Sequence, residues 1–394
     1  MKNIHFWRIA KEWLILFKKR LMLFIMLFAI PICLSFLFGY SMQAKQIKHI
    51  PAIIVDRDNS ALSRTITEEI RSNEIFNIVG YSQKYSDVED YIEQGKAMVG
   101  VIIPASFSKN LVEGKGQNVL VFYDGSQMSI ISAAKARMTE ILLTIKTGYL
   151  KQVMEGKLNI LPNESIKTVQ PMFFTNRILY NPTRNYVNFY ISGMLISVIQ
   201  VGLVMIGADR VRNDEKYFIV HLTRALFWGL LGTISIIITL WIQCHYFGVP
   251  FLGTLKGALV LTLLYSTGMI SLGMLSNLII PNRLFATQVA AILVLPTSIL
   301  GGFTFPLMAV PKFFQQLGSI IPYAHYAEPM RDLNVKAIGI SYIGRDIIWL
   351  GKFVIYTWII SAAVFFCKKG VKILWNKRKQ KKIIQSNPST EVGI

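Results

Sequence analysis

Long runs without ionisable side chains restrict the fold of this chain more than any other feature. Several windows of about 20 residues lack Asp, Glu, Lys and Arg almost entirely, and this is the length at which a helix crosses ~30 Å of hydrocarbon. Only 16% of the residues are charged, whereas about 25% is usual in soluble domains. The windows predict six transmembrane helices at residues 21–40, 186–208, 225–247, 257–280, 284–301 and 347–367.

The first apolar run has a second interpretation as a secretory signal peptide. The apolar core of a signal peptide is about 7–15 residues long and is followed by a cleavage site of small residues. Residues 21–40 are longer, and Met42-Gln43-Ala44 is a poor cleavage site. We therefore expect an uncleaved membrane anchor.

The segment between the first two spans has a different composition. Residues 45–185 hold 31 of the 64 charged residues, with 17 basic and 14 acidic side chains. Buried-strand patterns alternate with helical patterns, and Ser86 with Glu89 suggests a helix-capping box. The predicted strands are residues 51–57, 76–81, 97–104 and 118–125. The expected fold class is an α-helical polytopic membrane protein of six transmembrane helices with an inserted α/β extracytoplasmic domain at residues 41–185.

Basic residues are concentrated at both ends of the chain. Residues 1–20 predict an amphipathic helix at the membrane interface whose apolar face includes Phe6, Trp13 and Phe17. A plain basic extension of the first span is the alternative. Residues 368–394 form a basic tail. Both segments adjoin apolar spans, so we interpret them as cytoplasmic anchors facing anionic lipid rather than as a nucleic-acid surface.

The distribution of Lys and Arg predicts the orientation. The two termini, the 209–224 loop and Arg283 hold 19 basic residues, and the short segments on the opposite side hold five. Basic loops stay on the cytoplasmic side. Both termini are therefore expected in the cytoplasm. The segment 303–333, broken by four prolines, is expected to form short helices on the outer side.

Motifs for catalysis and nucleotide binding are missing from the sequence. No GxxxxGK[ST], HExxH or GxSxG occurs. The three cysteines have no CxxC spacing, and the spans hold no carboxylates of the kind that ion-coupled carriers use. We therefore expect a non-catalytic chain that binds no cofactor and whose energy, if it does work, comes from elsewhere.

Two stretches carry a resemblance to a known family. The segment VDRDNSALSRTITEEIRSNEIFNIVGY (55–81) and the segment GGFTFPLMAVPKFFQQLGSIIPYAHYAEPMRDL (301–333) resemble ABC transporter permeases of the type-2 exporter class. The topology is similar as well. The resemblance implies two cytosolic ATPase subunits that bind ATP and Mg, and a second permease copy or a homologue. It also implies a multi-pass protein of a bacterial plasma membrane.

The 209–224 loop departs from that family, because it lacks the usual Gly-Thr ending. Its mixed charges still suggest an ATPase-coupling contact, although a solvated turn is the alternative. The coupling candidates are Arg210, Arg212, Asp214, Glu215 and Lys216.

Aromatic residues of the proline-broken segment 303–333 are exit-path candidates, with an interfacial belt as the alternative. They are Phe303, Phe305, Phe313, Phe314, Tyr323 and Tyr326. The expected function is that of an exporter permease moving a substrate outward. A receptor or scaffold whose outside domain binds a partner is the second hypothesis, and a membrane-embedded enzyme is the third.

Overall fold

The structure is a computed structural model that describes most of the chain. The described residues are 21, 24–43, 46–158, 161, 169, 179–183, 185–210, 217–303 and 307–386. The chain forms two compact units, one of residues 44–178 and one of the segments on either side of it. We call them the α/β unit and the helical unit.

The α/β unit alternates strands and helices, as the sequence predicts. Its elements are β1 (Ile50–Asp56), α2 (Ala61–Arg71), β2 (Phe76–Ser82), α3 (Ser86–Glu93), β3 (Val99–Ile103), α4 (Phe107–Val112), β4 (Leu120–Tyr123) and α5 (Met128–Leu158). The strand order is β2-β1-β3-β4, with β1 parallel to both neighbours and β4 antiparallel to β3. Helical crossovers of this kind are what parallel pairs require.

Apolar side chains fill both faces of this sheet. One face packs against α2 and α5 through residues such as Ile70 and Met138. The other face packs against α3, where Val88 lies directly over Gly100. A Cβ atom at Gly100 would lie 2.2 Å from Val88 Cγ1, so only glycine permits this approach.

The capping box predicted at Ser86 is wrong. Tyr85 already has helical dihedrals and caps α3 without a side-chain hydrogen bond, so Ser86 lies inside the first turn. The Asp87 carboxylate instead accepts a hydrogen bond from the Ser82 hydroxyl. The capping box of this unit is at α2, where Ser60 and Ser63 exchange side-chain and backbone hydrogen bonds.

The helical unit contains the remaining helices. They are α1 (Ile25–Ser41), α6 (Tyr186–Arg210), α7 (Phe218–Phe247), α8 (Leu255–Ile279), α9 (Arg283–Val294), α10 (Thr297–Leu300), a 3-10 turn (Leu307–Ala309), α11 (Lys312–Gly318), α12 (Ala324–Val335) and α13 (Gly344–Ser386). α1 starts with a π-helical turn, Ile25–Ala29.

Five helices of the described chain are long and apolar enough to cross a membrane. They are Val187–Asp209, Phe218–Phe247, Leu255–Ile279, Arg283–Leu300 and Gly344–Trp375. The first predicted span corresponds to the shorter apolar helix Ile25–Ser41. The protein is therefore mostly helical with five candidate spans, and the sixth span stays a prediction.

The predicted spans and the observed helices differ most at three places. α7 begins at Phe218 rather than at residue 225, and α13 continues well past residue 367, because Lys and Arg are good helix formers outside hydrocarbon. The fifth predicted span divides into α9 and α10 at Leu295-Pro296, since proline has no N–H to continue the ladder.

Close contacts between helices α6 and α8 depend on two glycines. A Cβ atom at Gly207 would lie 2.1 Å from the Ile270 carbonyl oxygen, and one at Gly273 would lie 2.0 Å from the Val204 carbonyl oxygen. The two backbones therefore touch at this crossing. Small residues allow such approaches, which supply much of the packing energy between helices in membranes.

Candidate functional site

The structure brings together only part of the predicted aromatic exit path. Phe303, Tyr323 and Tyr326 are buried in the helical unit, each no more than 2% exposed. Phe313 and Phe314 are exposed and pack on each other. Phe305 lies outside the described residues. The six candidates therefore do not form one continuous described surface.

The buried aromatics form a packed cluster around Gly193 of α6. The Phe303 ring lies so close that a Cβ atom at Gly193 would be 2.1 Å from it. The Tyr323 hydroxyl donates a hydrogen bond to the Gly193 carbonyl at 2.9 Å. The Arg331 guanidinium lies 5.1 Å from the ring centroids of both Phe189 and Phe303. We call these five residues the aromatic cluster.

A polar network lies deeper in the helical unit. Gln200 Oε1 accepts a hydrogen bond from the Tyr265 hydroxyl at 2.8 Å, and Gln200 Nε2 donates to Thr297 Oγ1 at 3.0 Å. The Tyr265 ring stacks on Tyr326 with centroids 4.2 Å apart, and the Tyr326 hydroxyl pairs with Thr262 Oγ1 at 3.0 Å. We call these five residues the polar hub.

The polar hub connects four helices, α6, α8, α10 and α12. Gln200 belongs to α6, Tyr265 to α8 and Tyr326 to α12. Thr297 is the first residue of α10, directly after the break at Pro296. Sequence reasoning missed the hub, although an amide within an otherwise apolar span is a recognisable signal for contacts between helices.

A histidine–carboxylate contact joins α12 to the start of α13. His325 Nδ1 lies 2.8 Å from Asp346 Oδ1, and His325 Nε2 lies 2.9 Å from the Ser319 carbonyl oxygen. The imidazole also stacks on Trp349 with centroids 3.9 Å apart. Both ring nitrogens therefore lie within hydrogen-bond distance of an oxygen atom, and the ring position is fixed from two sides.

The predicted coupling loop is anchored at its first end by described contacts. Asp209 Oδ1 lies 2.5 Å from the guanidinium of Arg283, which is the first residue of α9. The Asn277 amide donates to the Ala208 carbonyl, and Lys368 Nζ donates to the Ile279 carbonyl at 3.2 Å. We call this set the Asp209 clamp. It ties α6, the α8–α9 turn and α13 together at one end of the helical unit.

The coupling candidates themselves lie at the edge of what the structure describes. Arg210 is the last residue of α6, and its side chain is outside the description. Arg212, Asp214, Glu215 and Lys216 lie outside the described residues. The same holds for the interface helix with its three aromatic residues, Phe6, Trp13 and Phe17. These assignments stay predictions.

The α/β unit contains an open groove of about 810 Å³. It lies where β1 and β2 end, a position at which α/β sheets often bind ligands. The residues around it include Asp56, Arg64, Glu68 and Tyr81. Asp56 is engaged by the backbone N–H groups of residues 58 and 59, and the Arg71 guanidinium lowers the pKa of Glu68. The groove therefore has mixed charge, and two of its carboxylates, Asp56 and Glu68, are already engaged by contacts within the unit.

Comparison with known proteins gives one consistent answer. The family model described as "ABC-2 family transporter protein" matches residues 20–363. The chain is 23% identical to ABC transporter G family member 20 of Dictyostelium discoideum over 327 residues. That match covers 79% of this chain but only 43% of the Dictyostelium protein.

Two bacterial relatives are covered more fully. The chain is 22% identical over 309 residues to the probable multidrug ABC transporter permease YbhR of Escherichia coli K12, covering 75% of this chain and 79% of YbhR. It is 21% identical over 321 residues to the probable multidrug ABC transporter permease YbhS of the same strain, covering 77% and 81%.

Proposed function

The chain belongs to the ABC-2 family of transporter proteins, and from this premise we propose that it is the permease subunit of an ATP-driven exporter. The observation that carries the proposal is the family match over residues 20–363, which includes the α/β unit, four candidate spans in full and the larger part of the fifth. Energy would come from two separate ATPase subunits that bind ATP and Mg. A second permease copy or a homologue would complete the transporter.

We further propose a topology of six spans with α1 as the first and the α/β unit inserted outside the cytoplasm. The excess of Lys and Arg at both termini and in the 209–224 loop supports it, since basic segments stay on the cytoplasmic side. The Asp209 clamp would then lie at the cytoplasmic end of the helices. The membrane would be a bacterial plasma membrane.

The Asp209 clamp supports the adjoining loop as the place where the ATPase acts. A coupling segment must be joined rigidly to several spans, and the clamp ties three helical elements together at residue 209. Force applied to residues 210–216 would reach these helices directly. The acidic pair Asp214 and Glu215 would meet a complementary basic surface of the ATPase.

The substrate class we propose is apolar or amphipathic small molecules. Two relatives are named as probable multidrug permeases, and the aromatic cluster would offer a wall of suitable chemistry. The cluster is closed by packing around Gly193. Export would therefore require α12 to move away from α6, with the polar hub breaking and re-forming.

A transport assay tests this proposal most directly. The permease would be reconstituted with its ATPase in vesicles, and ATP-dependent movement of a panel of compounds and lipids would be measured. We expect the double variant Asp214→Ala with Glu215→Ala to lose ATPase binding or coupling while inserting normally. Truncation after Lys372 is the matched control and should matter less. Full activity of the double variant with loss in the truncation would place the coupling contact in the tail instead.

A receptor or scaffold function is the second candidate, and the groove of the α/β unit favours it. In that case the outside unit would bind a partner and no ATPase would be needed. Purification in mild detergent separates the two candidates. An ATPase subunit that co-purifies supports the exporter, and a stable complex without one supports the receptor.

A further inference from the structure

In the part of the chain that the structure describes, strand β4 is an open edge of the α/β sheet. It has one neighbour in the sheet, β3. All five residues of β3 are buried, whereas β4 alternates exposed and half-buried side chains and has no buried one. Leu120 is 48% exposed and Phe122 is 37% exposed. A strand with this profile offers both apolar side chains and backbone groups to another chain.

The hydrogen-bond pattern shows which backbone groups of β4 face outward. Asp124 N donates to the Met98 carbonyl at 2.9 Å, so this pair is of the hydrogen-bonded kind. Antiparallel pairs alternate between bonded and non-bonded, and Phe122 pairs with Gly100 in the same register. The bonded residues are therefore 120, 122 and 124. The N–H and C=O groups of Val121 and Tyr123 point away from β3.

The two edges of the sheet differ in how they resist pairing. Edge strand β2 carries a register irregularity opposite Ala52/Ile53, which skips Val79 and distorts its ladder. Residues 116–123 contain no charged residue and no proline, and β4 pairs with β3 without a bulge. Charges, prolines and bulges are the devices that normally protect an edge. Among the described residues of the sheet, β4 lacks all three of these devices and is protected only by its length of four residues.

We propose that β4 pairs antiparallel with β4 of a second copy of this chain. An isologous contact about a two-fold axis requires such self-complementarity. With Val121 opposite Val121 of the partner subunit, the outward groups of residues 119, 121 and 123 can all exchange hydrogen bonds. In the same register Leu120 lies opposite Phe122 of the partner subunit. Two four-stranded sheets would become one of eight strands.

The small size of the β4 surface points to a second copy of this chain as the binding partner. Stable complexes between free proteins bury about 1,200–2,000 Å², which a four-residue strand cannot supply by itself. A second copy held nearby in the membrane needs far less, because tethering raises its effective concentration. The inference thus rests on the proposed function, specifically on a transporter with two copies of this permease.

Disulfide trapping tests both the pairing and its register. Two tagged versions of the full chain, Leu120→Cys and Phe122→Cys, would be co-expressed after replacing Cys33, Cys244 and Cys367 with serine. Opposed non-bonded residues have Cα atoms about 4.5 Å apart, within the ~4.4–6.8 Å range of disulfides. We expect several-fold more mixed-tag disulfide dimer than either variant forms alone, because residues diagonal across the pair are ~7–8 Å apart.

Two further variants keep the test decisive. Val121→Pro removes an outward N–H that the fold of the unit does not use, and it should lower the trapped dimer several-fold. Val79→Cys, exposed on the β2 edge, is the matched control and should not be trapped. Trapping of Val79→Cys, or of the single β4 variants as efficiently as their mixture, would overturn the pairing.

The mass of the detergent-solubilised complex separates this inference from the proposed function. A complex with two copies of this chain but no β4 disulfide would overturn the inference and leave the exporter intact. A complex that holds one copy of this chain and one homologue would also overturn it. A single copy without an ATPase would contradict both.

Discussion

The two units of this protein distribute polar and apolar side chains in opposite ways. Of the 20 buried polar or charged side chains in the described chain, only Ser63 belongs to the α/β unit. The other 19 lie in the helical unit. Large apolar side chains are exposed throughout the helical unit, on helices such as α7, α9 and α13. Each unit thus exposes the kind of side chain that its own surroundings solvate.

This difference shows what holds each unit together. Burial of apolar surface drives the α/β unit, at roughly 25 cal/mol per Å². Lipid removes that driving force between the helices, so packing of small residues and hydrogen bonds between helices must replace it. The Gly207–Gly273 crossing and the polar hub are examples of the two contributions.

The largest expected effect tests the apolar core of the α/β unit. Ile54 is fully buried in β1, and Ile54→Ala should lower the free energy of unfolding of this unit by about 2–5 kcal/mol. Ile292→Ala on α9 is the matched control, because Ile292 is 65% exposed. Hydrogen exchange measured by mass spectrometry resolves the two units in the full protein. Equal losses for both variants would contradict the comparison.

A somewhat smaller effect is expected at the glycine crossing. Gly273→Ala inserts a methyl group against the backbone of α6 and should destabilise the helical unit by about 1–3 kcal/mol. Gly351→Ala in α13 is the control, since a Cβ atom there meets nothing within 4 Å. Thermal unfolding in detergent measures both variants. Because alanine has a higher helix propensity than glycine, Gly351→Ala should be neutral or slightly stabilising, and an equal loss there would contradict close packing as the cause.

The polar hub should contribute about 1 kcal/mol. Gln200→Leu leaves the Tyr265 hydroxyl and Thr297 without their amide partner, and hydrogen bonds between membrane helices average ~0.6 kcal/mol with a maximum near 1.7. Tyr265→Phe removes the opposite end of the bond. A double-mutant cycle should show that the two losses are less than additive. Simple additivity would mean that the two residues do not interact.

Breaking the Asp209 clamp should alter transport more than stability. Asp209 and Arg283 are partly exposed, so Asp209→Asn should cost less than about 1 kcal/mol. ATP hydrolysis should nevertheless become less tightly linked to export in reconstituted vesicles. Glu140→Gln breaks the exposed pair with Arg137 in the α/β unit and serves as control. Normal coupling in Asp209→Asn would show that the clamp does not transmit force.

The smallest expected effect is a loss of stability of the α/β unit at low pH. Hydrogen bonds from Ser126 lower the pKa of Asp124, and Lys48 lowers the pKa of Glu74. Groups with a lowered folded-state pKa stabilise fully above their unfolded pKa of about 4, and this contribution is lost as the pH falls through the folded value. The protection of β4 and its following turn against hydrogen exchange, relative to the intrinsic rate at each pH, should therefore fall slightly below pH 4. Asp124→Asn should remove part of that dependence, and an unchanged pH profile would speak against it.

Several features of the protein could be predicted because they depend on local sequence patterns. The charge-free runs locate the spans, since hydrocarbon excludes ionised groups over a helix length of about 20 residues. Alternating apolar strands locate β1 to β4 to within a few residues. The end of α7 at Phe247 was also correct, because Gly248 follows in a left-handed conformation that suits glycine.

Other features depended on how distant segments meet. No pattern indicated that Gln200 reaches Tyr265 and Thr297, which lie 65 and 97 residues away along the chain. The aromatic residues of the segment 303–333 look alike in sequence, yet Tyr326 is buried and Phe313 is exposed. Their difference arises from which helix face meets α6 and α8.

Sequence alone therefore determined which segments meet water and which meet lipid, and which secondary structure each of those segments forms. Composition and periodicity are local properties, and they reflect whether a segment meets water or lipid. Tertiary structure decided which polar groups share a bond across the helical unit and which edge of the sheet stays open. Those outcomes depend on helix crossings and strand order, because a buried hydrogen bond or an unpaired edge exists only once separate segments have been brought together.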